Sequence, residues 1–176
     1  MRIAALLIAS VLAAVAGPSA QQVTTEELNG VRNFKRLETT VACAGATSAE
    51  AMPAIKKMGF ASVVNLRLAS EAGADIEGAT AAAKAANLNY VHIPFSVQTP
   101  ETAAADRFLA EIAKPANQPA FIHCGGGGRA ATMWFIKRLV VDKWDVERAS
   151  AEATALGMNN AALKQWAIEY SKSKGM

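Results

Sequence analysis

The chain has 176 residues, of which 52% are hydrophobic, 19% charged and 6% aromatic. That length suits one domain with a sizeable core, and an apolar half excludes a chain that stays disordered. The net charge of +3, from 18 Lys and Arg against 15 Asp and Glu, comes without a basic cluster and gives no support to a nucleic-acid partner.

Met1-Arg2, an apolar run over Ile3–Ala16 and the small residues of Gly17-Pro18-Ser19-Ala20 describe a secretory signal peptide. The run, about 14 residues, is shorter than the roughly 20 needed to span a bilayer, so no stable membrane span is expected after cleavage. Residues 1–20 are read as the signal and 21–176 as the mature domain, which places the protein in the periplasm or outside the cell.

In the mature chain, Phe34–Ala42 reads as an opening strand or hairpin. Ser48 has the chemistry of an N-cap for a helix over Ala49–Met58, with Pro53 near its first turn. Ala61–Arg67 is a short apolar run suited to a buried parallel strand. A loop and helix start over Glu71–Gly78 lead into an Ala-rich helix, Ala79–Ala86, closed by Asn87. Asn89–Pro94 is the next strand, and Glu101–Lys114 a helix with Phe108, Leu109 and Ile112 on one face. Ala120–His123 is another buried strand and runs into Cys124 and four glycines. Ala130–Val141, apolar all round, predicts a buried helix, and Asp145–Leu156 and Asn160–Ser173 predict two more, separated by Gly157. The fold class is α/β, with a small, mostly parallel central sheet flanked by helices.

The chemistry concentrates in His123-Cys124-Gly125-Gly126-Gly127-Gly128-Arg129, between a predicted strand and a predicted helix. Ligands bind at the carboxyl ends of such strands. A glycine loop there can turn its N–H groups inward as an anion nest capped by a helix N-terminus. Arg129 adds paired donors for phosphate, and the same positive field pulls Cys124 towards the range of reactive thiols. A thiolate at the floor of an oxyanion cradle is a nucleophile aimed at phosphorus. Two cysteines and two histidines cannot build a disulfide-dense scaffold and make a metal centre a poor reading.

This run resembles the hallmark of the cysteine-dependent protein phosphatases of the dual-specificity type: His-Cys, a short phosphate loop and Arg. The four residues between Cys124 and Arg129 are one fewer than in the common form. They match the bacterial beta-lactamase-hydrolase-like phosphatase branch. Ala46-Thr47-Ser48 stands where that branch has a Gln-Pro-Ser-like turn. Lys57–Arg67 is similar to its Gly-Phe-Lys-Thr-Val-Ile-Asn-Leu-Arg strand, and Tyr90–Pro94 to its next block, so the resemblance runs from about Asn33 to Gly157. It implies a dual-specificity phosphatase-like fold, a phosphorylated protein or small molecule as substrate, and no cofactor. Cys124 would be the nucleophile, Gly125 to Gly128 with Arg129 the phosphate cradle, and His123 the neighbour that tunes the thiol.

Such phosphatases place an Asp on the loop after the His-Ile-Pro strand as general acid. Here that loop, Phe95–Pro100, holds no acid, and Glu101 and Asp106 are the nearest carboxylates. Both are more simply helix N-terminal residues. The chain therefore reads as a phosphatase, or as a phosphate-binding relative with weak or lost catalysis. A rhodanese-like sulfurtransferase shares Cys-x4-Arg between strand and helix, but resumes with a strand where this chain predicts helices. Cys43 is a redox partner for Cys124 in an oxidising compartment, or a small core residue. His92 reads as a packed histidine, and Arg67, ending its strand on the same sheet edge as Cys124, as a possible lining residue.

Overall fold

The computed structural model describes residues 22–176; the expected signal peptide lies outside the described residues. Six strands form one sheet in the order β1-β2-β3-β6-β4-β5. They are β1 (Val23–Leu28), β2 (Val31–Leu37), β3 (Val41–Ala44), β4 (Ser62–Asn65), β5 (Asn89–His92) and β6 (Ala120–His123). β1, β2 and β3 pair antiparallel, whereas β3, β6, β4 and β5 pair parallel. The opening segment thus holds more structure than its pattern predicts. Phe34–Ala42 divides between two strands at a turn, and a further strand precedes it. β1 (Val-Thr-Thr-Glu-Glu-Leu) is a half-exposed edge, so its polar composition hides the period that marks a buried strand.

Six α-helices cover the sheet: α1 (Met52–Lys57), α2 (Ile76–Ala85), α3 (Thr102–Ile112), α4 (Gly128–Val140), α5 (Val146–Ala155) and α6 (Ala161–Ser173). β3, β4 and β6 are buried along their whole length, as parallel strands covered on both faces must be. Their side chains alternate between two cores. Ala42, Val63 and Phe121 face Met52, Ile55 and Ala83 of α1 and α2. Cys43, Val64 and Ile122 face the larger core made with α3 to α6.

Boundaries shift where capping overrides composition. Ser48 precedes a one-turn 3₁₀ helix, Ala49–Ala51, and makes no cap bond, so α1 starts only at Met52. α2 begins three residues before the expected Ala79, because the Asp75 carboxylate accepts the Gly78 N–H at 2.8 Å. Asp145 and Asn160 cap α5 and α6 in the same way.

α4 is the helix that starts at the glycine loop, and nearly all of it is buried. Its one deeply buried charge, Arg138, lies between the rings of Trp134 and Trp144, 4.8 and 4.1 Å from their centroids. It donates to Glu152 of α5 and to Asp142. Trp134 Nε1–H also donates to Glu152, at 2.8 Å, so one carboxylate ties α5 to α4. Removing Glu152 leaves the buried Arg138 with Asp142 as its carboxylate and Trp134 Nε1–H without its acceptor. Glu152→Ala is therefore expected to lower stability by about 3 kcal/mol, read as a lower urea midpoint with an unchanged denaturant slope.

Candidate active site

β6 delivers Cys124 to the carboxyl edge of the sheet. Its pairing with β3 continues one step past the strand, where Cys124 N–H donates to Ala44 O at 3.1 Å. The glycine loop then runs beside the segment that leaves β3. Gly45 and Gly126 form an isolated antiparallel bridge, and Ala46 N–H donates to Gly125 O at 3.0 Å. A Cβ on Gly45 would lie 3.0 Å from Arg32 O and 3.1 Å from Gly125 O, so any larger residue there would have to push backbone aside by a few tenths of an ångström. Gly127, at φ +103°, is the N-cap of α4, a left-handed position that glycine adopts without steric penalty. Helix α4 consequently opens at Gly128, and Arg129 stands in its first turn, two residues earlier than the predicted helix start.

This geometry aims donors at sulfur. Gly127 N–H donates to Cys124 Sγ at 3.1 Å. Arg129 Nη1 donates to Leu66 O (3.1 Å), Phe95 O (2.8 Å) and Glu71 Oε1 (2.6 Å), and Nη2 to Glu71 Oε2 (2.8 Å). Glu71 thus holds one edge of the guanidinium in a bidentate pair. Of the five N–H donors, Nε–H and the second Nη2–H lie on the other edge and meet no protein oxygen among the described residues, and the guanidinium also interacts with the Cys124 sulfur. Burial works against the charge of Arg129, but Glu71 and the Cys124 sulfur outweigh it and raise its pKa. Partial burial likewise works against Glu71. Hydrogen bonds from Arg129, the Leu68 amide and Arg67 prevail and hold its pKa at about 2.

Cys124, Gly126, Gly128 and Arg129 line a cavity of about 170 Å³ together with Val97, Asn159, Asn160 and Leu163. The other expected site residues stand apart. His123 alternates to the opposite face of β6, its ring centroid 6.3 Å from that of Phe121. Burial, then the charges of Arg67, His92 and Arg129, push its pKa down to about 3. It is therefore neutral, and neither ring nitrogen has a hydrogen-bond partner among the described residues. Glu101 is the exposed N-cap residue of α3. Asp106 accepts from Tyr170 Oη at 2.7 Å and pairs with Lys174 at 2.6 Å, contacts that lower its pKa. Neither carboxylate lines the cavity.

Arg67 does not line it either. It is 6% exposed, and its guanidinium holds the carbonyls of Ala72 and Gly73 and the Glu71 carboxylate. It thereby shapes the loop that presents Glu71. His92 Nε2 lies 2.8 Å from Arg67 O, a packing contact. Cys43 and Cys124 are both free thiols. Cys43 is fully buried in the larger core, and burial, then the neighbouring Cys124 and Glu152, raise its pKa well above the ordinary thiol value.

Sequence reasoning missed Glu71, which stands four residues after Arg67 at the start of a stretch read as loop. The Asn-Leu-Arg strand end was its only signal. Asn33, whose Nδ2 donates to Gly126 O at 3.0 Å, and the Asn159-Asn160 pair gave none.

A family profile described as DSP-PTPase phosphatase fused to NAD+ kinase matches residues 13–171. No curated protein matches the chain. Among solved structures, the fold is similar to a DUF442 protein from Shewanella putrefaciens CN-32. The two share 19% identity with a TM-score of 0.69, over 84% of this chain and 96% of that one. It is similar also to TpbA of P. aeruginosa (18%, TM-score 0.62, over 89% and 91%). A third is the core catalytic domain of the PP-IP phosphatase SIW14 from S. cerevisiae (16%, TM-score 0.66, over 82% and 88%).

The Glu71 carboxyl gives the site a pH signature. Its folded pKa, about 2, lies below the ordinary 4.5, so its contribution to stability is complete above about pH 4.5 and is lost as pH falls through 2. Glu71→Gln is expected to cost about 2 kcal/mol at pH 7. In urea titrations the gap between wild type and variant should be constant from pH 7 to about 5 and shrink as pH approaches 2.

Proposed function

The chain belongs to the DSP-PTPase phosphatase family, and on that premise we propose that it hydrolyses phosphate monoesters through a thiophosphoryl intermediate on Cys124. The observation that carries this reading is the convergence of Gly127 N–H on Cys124 Sγ beside the open edge of a guanidinium clamped by Glu71. In the first step the thiolate attacks phosphorus, the S–P bond forms, and the ester P–O bond breaks with its electron pair leaving on the ester oxygen. The loop N–H groups and Arg129 hold the equatorial oxygens as charge spreads over them. Water then adds to phosphorus, the S–P bond breaks, phosphate departs and the thiolate is restored, with the water proton passing to solvent.

No carboxylate lines the cavity, so the leaving oxygen has no acid beside it among those residues. This favours esters of acidic alcohols. A phenol, with a pKa of about 10, leaves as an anion far more readily than an alkyl alcohol, and a variant of TpbA has been seen in complex with pTyr. A phosphoaryl group, on a protein or a small molecule, is the substrate class this supports. The same feature favours, as a second reading, a binder of phosphate groups with little turnover. Helices α5 and α6 follow α4 where a sulfurtransferase would resume with a strand, which supports the phosphatase.

Turnover of an aryl phosphate by the reduced mature protein tests the reading. Cys124→Ser is expected to abolish it, and Arg129→Ala to lower it by about 10²–10³-fold. Vanadate binding without turnover would leave the binding reading in place, and neither would refute both.

The Met1-Arg2 start and the apolar run after it support export with cleavage. Expressed in a bacterium, the protein is expected in the periplasmic fraction with its first residue after position 16, as N-terminal sequencing would show. An intact Met1 on cytoplasmic protein would overturn this.

A further inference from the structure

We infer that Asn33 is a positioning residue for Cys124, acting through the peptide unit between Gly126 and Gly127. The inference rests on Cys124 being the nucleophile. A trans peptide is planar, with its C=O and N–H pointing in opposite directions. Asn33 Nδ2 donates to Gly126 O at 3.0 Å from outside the loop, and the N–H of the same unit, that of Gly127, donates to Cys124 Sγ at 3.1 Å. Pulling the carbonyl outward is therefore the same act as aiming the N–H at sulfur.

The preceding unit is held by backbone alone, through Ala46 N–H on Gly125 O. Gly126 itself offers no steric restraint: a Cβ built there would meet nothing within 4 Å. The bridge between Gly45 and Gly126 restrains this stretch through backbone, and among the described residues Asn33 supplies the side-chain bond to the carbonyl of the unit.

The backbone around Asn33 is built to present that amide. Glu26 pairs with Phe34 and Leu28 with Val31, so Arg32 and Asn33 together oppose the single residue Glu27. That is a β-bulge, a device that re-aims a side chain beside a functional site. Asn33 takes φ +49°, a left-handed conformation that Asn tolerates better than most residues. Its side chain is exposed and adds nothing to the apolar core, which leaves the loop carbonyl as its evident task.

The test uses Asn33→Gly, which keeps the left-handed backbone and deletes the amide, and Asn33→Asp, which keeps the shape but puts an acceptor against the carbonyl. Cys124 alkylation by iodoacetamide is followed from pH 4 to 9 by mass spectrometry of the Cys124 peptide, with urea midpoints and aryl phosphate kinetics alongside. The half-maximal pH of alkylation is expected to rise by about one unit in both variants, with kcat falling about tenfold. A profile that stays on the wild-type curve in either folded variant, whatever the change in urea midpoint, would reduce Asn33 to a structural residue and overturn the inference. Because alkylation needs no substrate, a wild type without turnover would count against the proposed activity and leave this test intact.

Discussion

A run of four glycines has no side chains with which to hold its own shape, and each one ordered costs more backbone entropy than any other residue. The loop from Gly125 to Gly128 therefore depends on hydrogen bonds offered by its neighbours. Those neighbours arrive because β6 lies between β3 and β4 in parallel register, with Ala44 opposite His123 and Asn65 opposite the same residue. That register sets Ala44 O against Cys124 N–H and brings Gly45 and Ala46 alongside the loop. A slip of one residue would send Cys124 to the face now held by His123.

The charge in the site is arranged by a second segment, the loop after β4. Arg67 is spent on shaping that loop, holding the carbonyls of Ala72 and Gly73, and Glu71 is in turn spent on Arg129. Arg129 also meets the carbonyls of Leu66 and Phe95, which lie just beyond the ends of β4 and β5. The guanidinium is thus seated on the carboxyl edge of three adjacent strands, and its orientation is settled before a substrate arrives. His123 takes no part in this field, because burial keeps its imidazole neutral. The positive potential at sulfur comes from one guanidinium and from backbone dipoles at the start of α4.

The helical half of the chain walls the site. Phe95, whose carbonyl holds Arg129, has its ring centroid 5.4 Å from that of Trp166 on α6, and Trp166 stacks on Tyr170. Through this ladder the C-terminal helix supports the seat of Arg129. Its N-terminal turn brings Asn159, Asn160 and Leu163 to the mouth of the cavity. No helix among the described residues is long and apolar enough to cross a membrane.

Much of this was legible in the residues themselves. The strand Ala120–His123, the cysteine, the glycines and the arginine are contiguous, so local order alone places them at a strand-to-helix turn, and the α/β class follows from the alternation of elements. The all-buried α4 and the helix starts at Asp145 and Asn160 are likewise local. What lay beyond reach was set by contacts between distant segments. Glu71 and Arg129 are 58 residues apart, Asn33 and Gly126 are 93 apart, and no spacing rule connects them. The side of the strand on which His123 lies is a matter of the pleat, which separates chain neighbours rather than joining them. The sequence by itself determined the fold class and the place of the cysteine, the glycines and the arginine at one strand-to-helix turn, because those depend on short-range periodicity and turn chemistry. Only the tertiary structure decided which side chains orient that cradle, because a hydrogen bond across a sheet edge leaves no mark in the chain until the strands are paired.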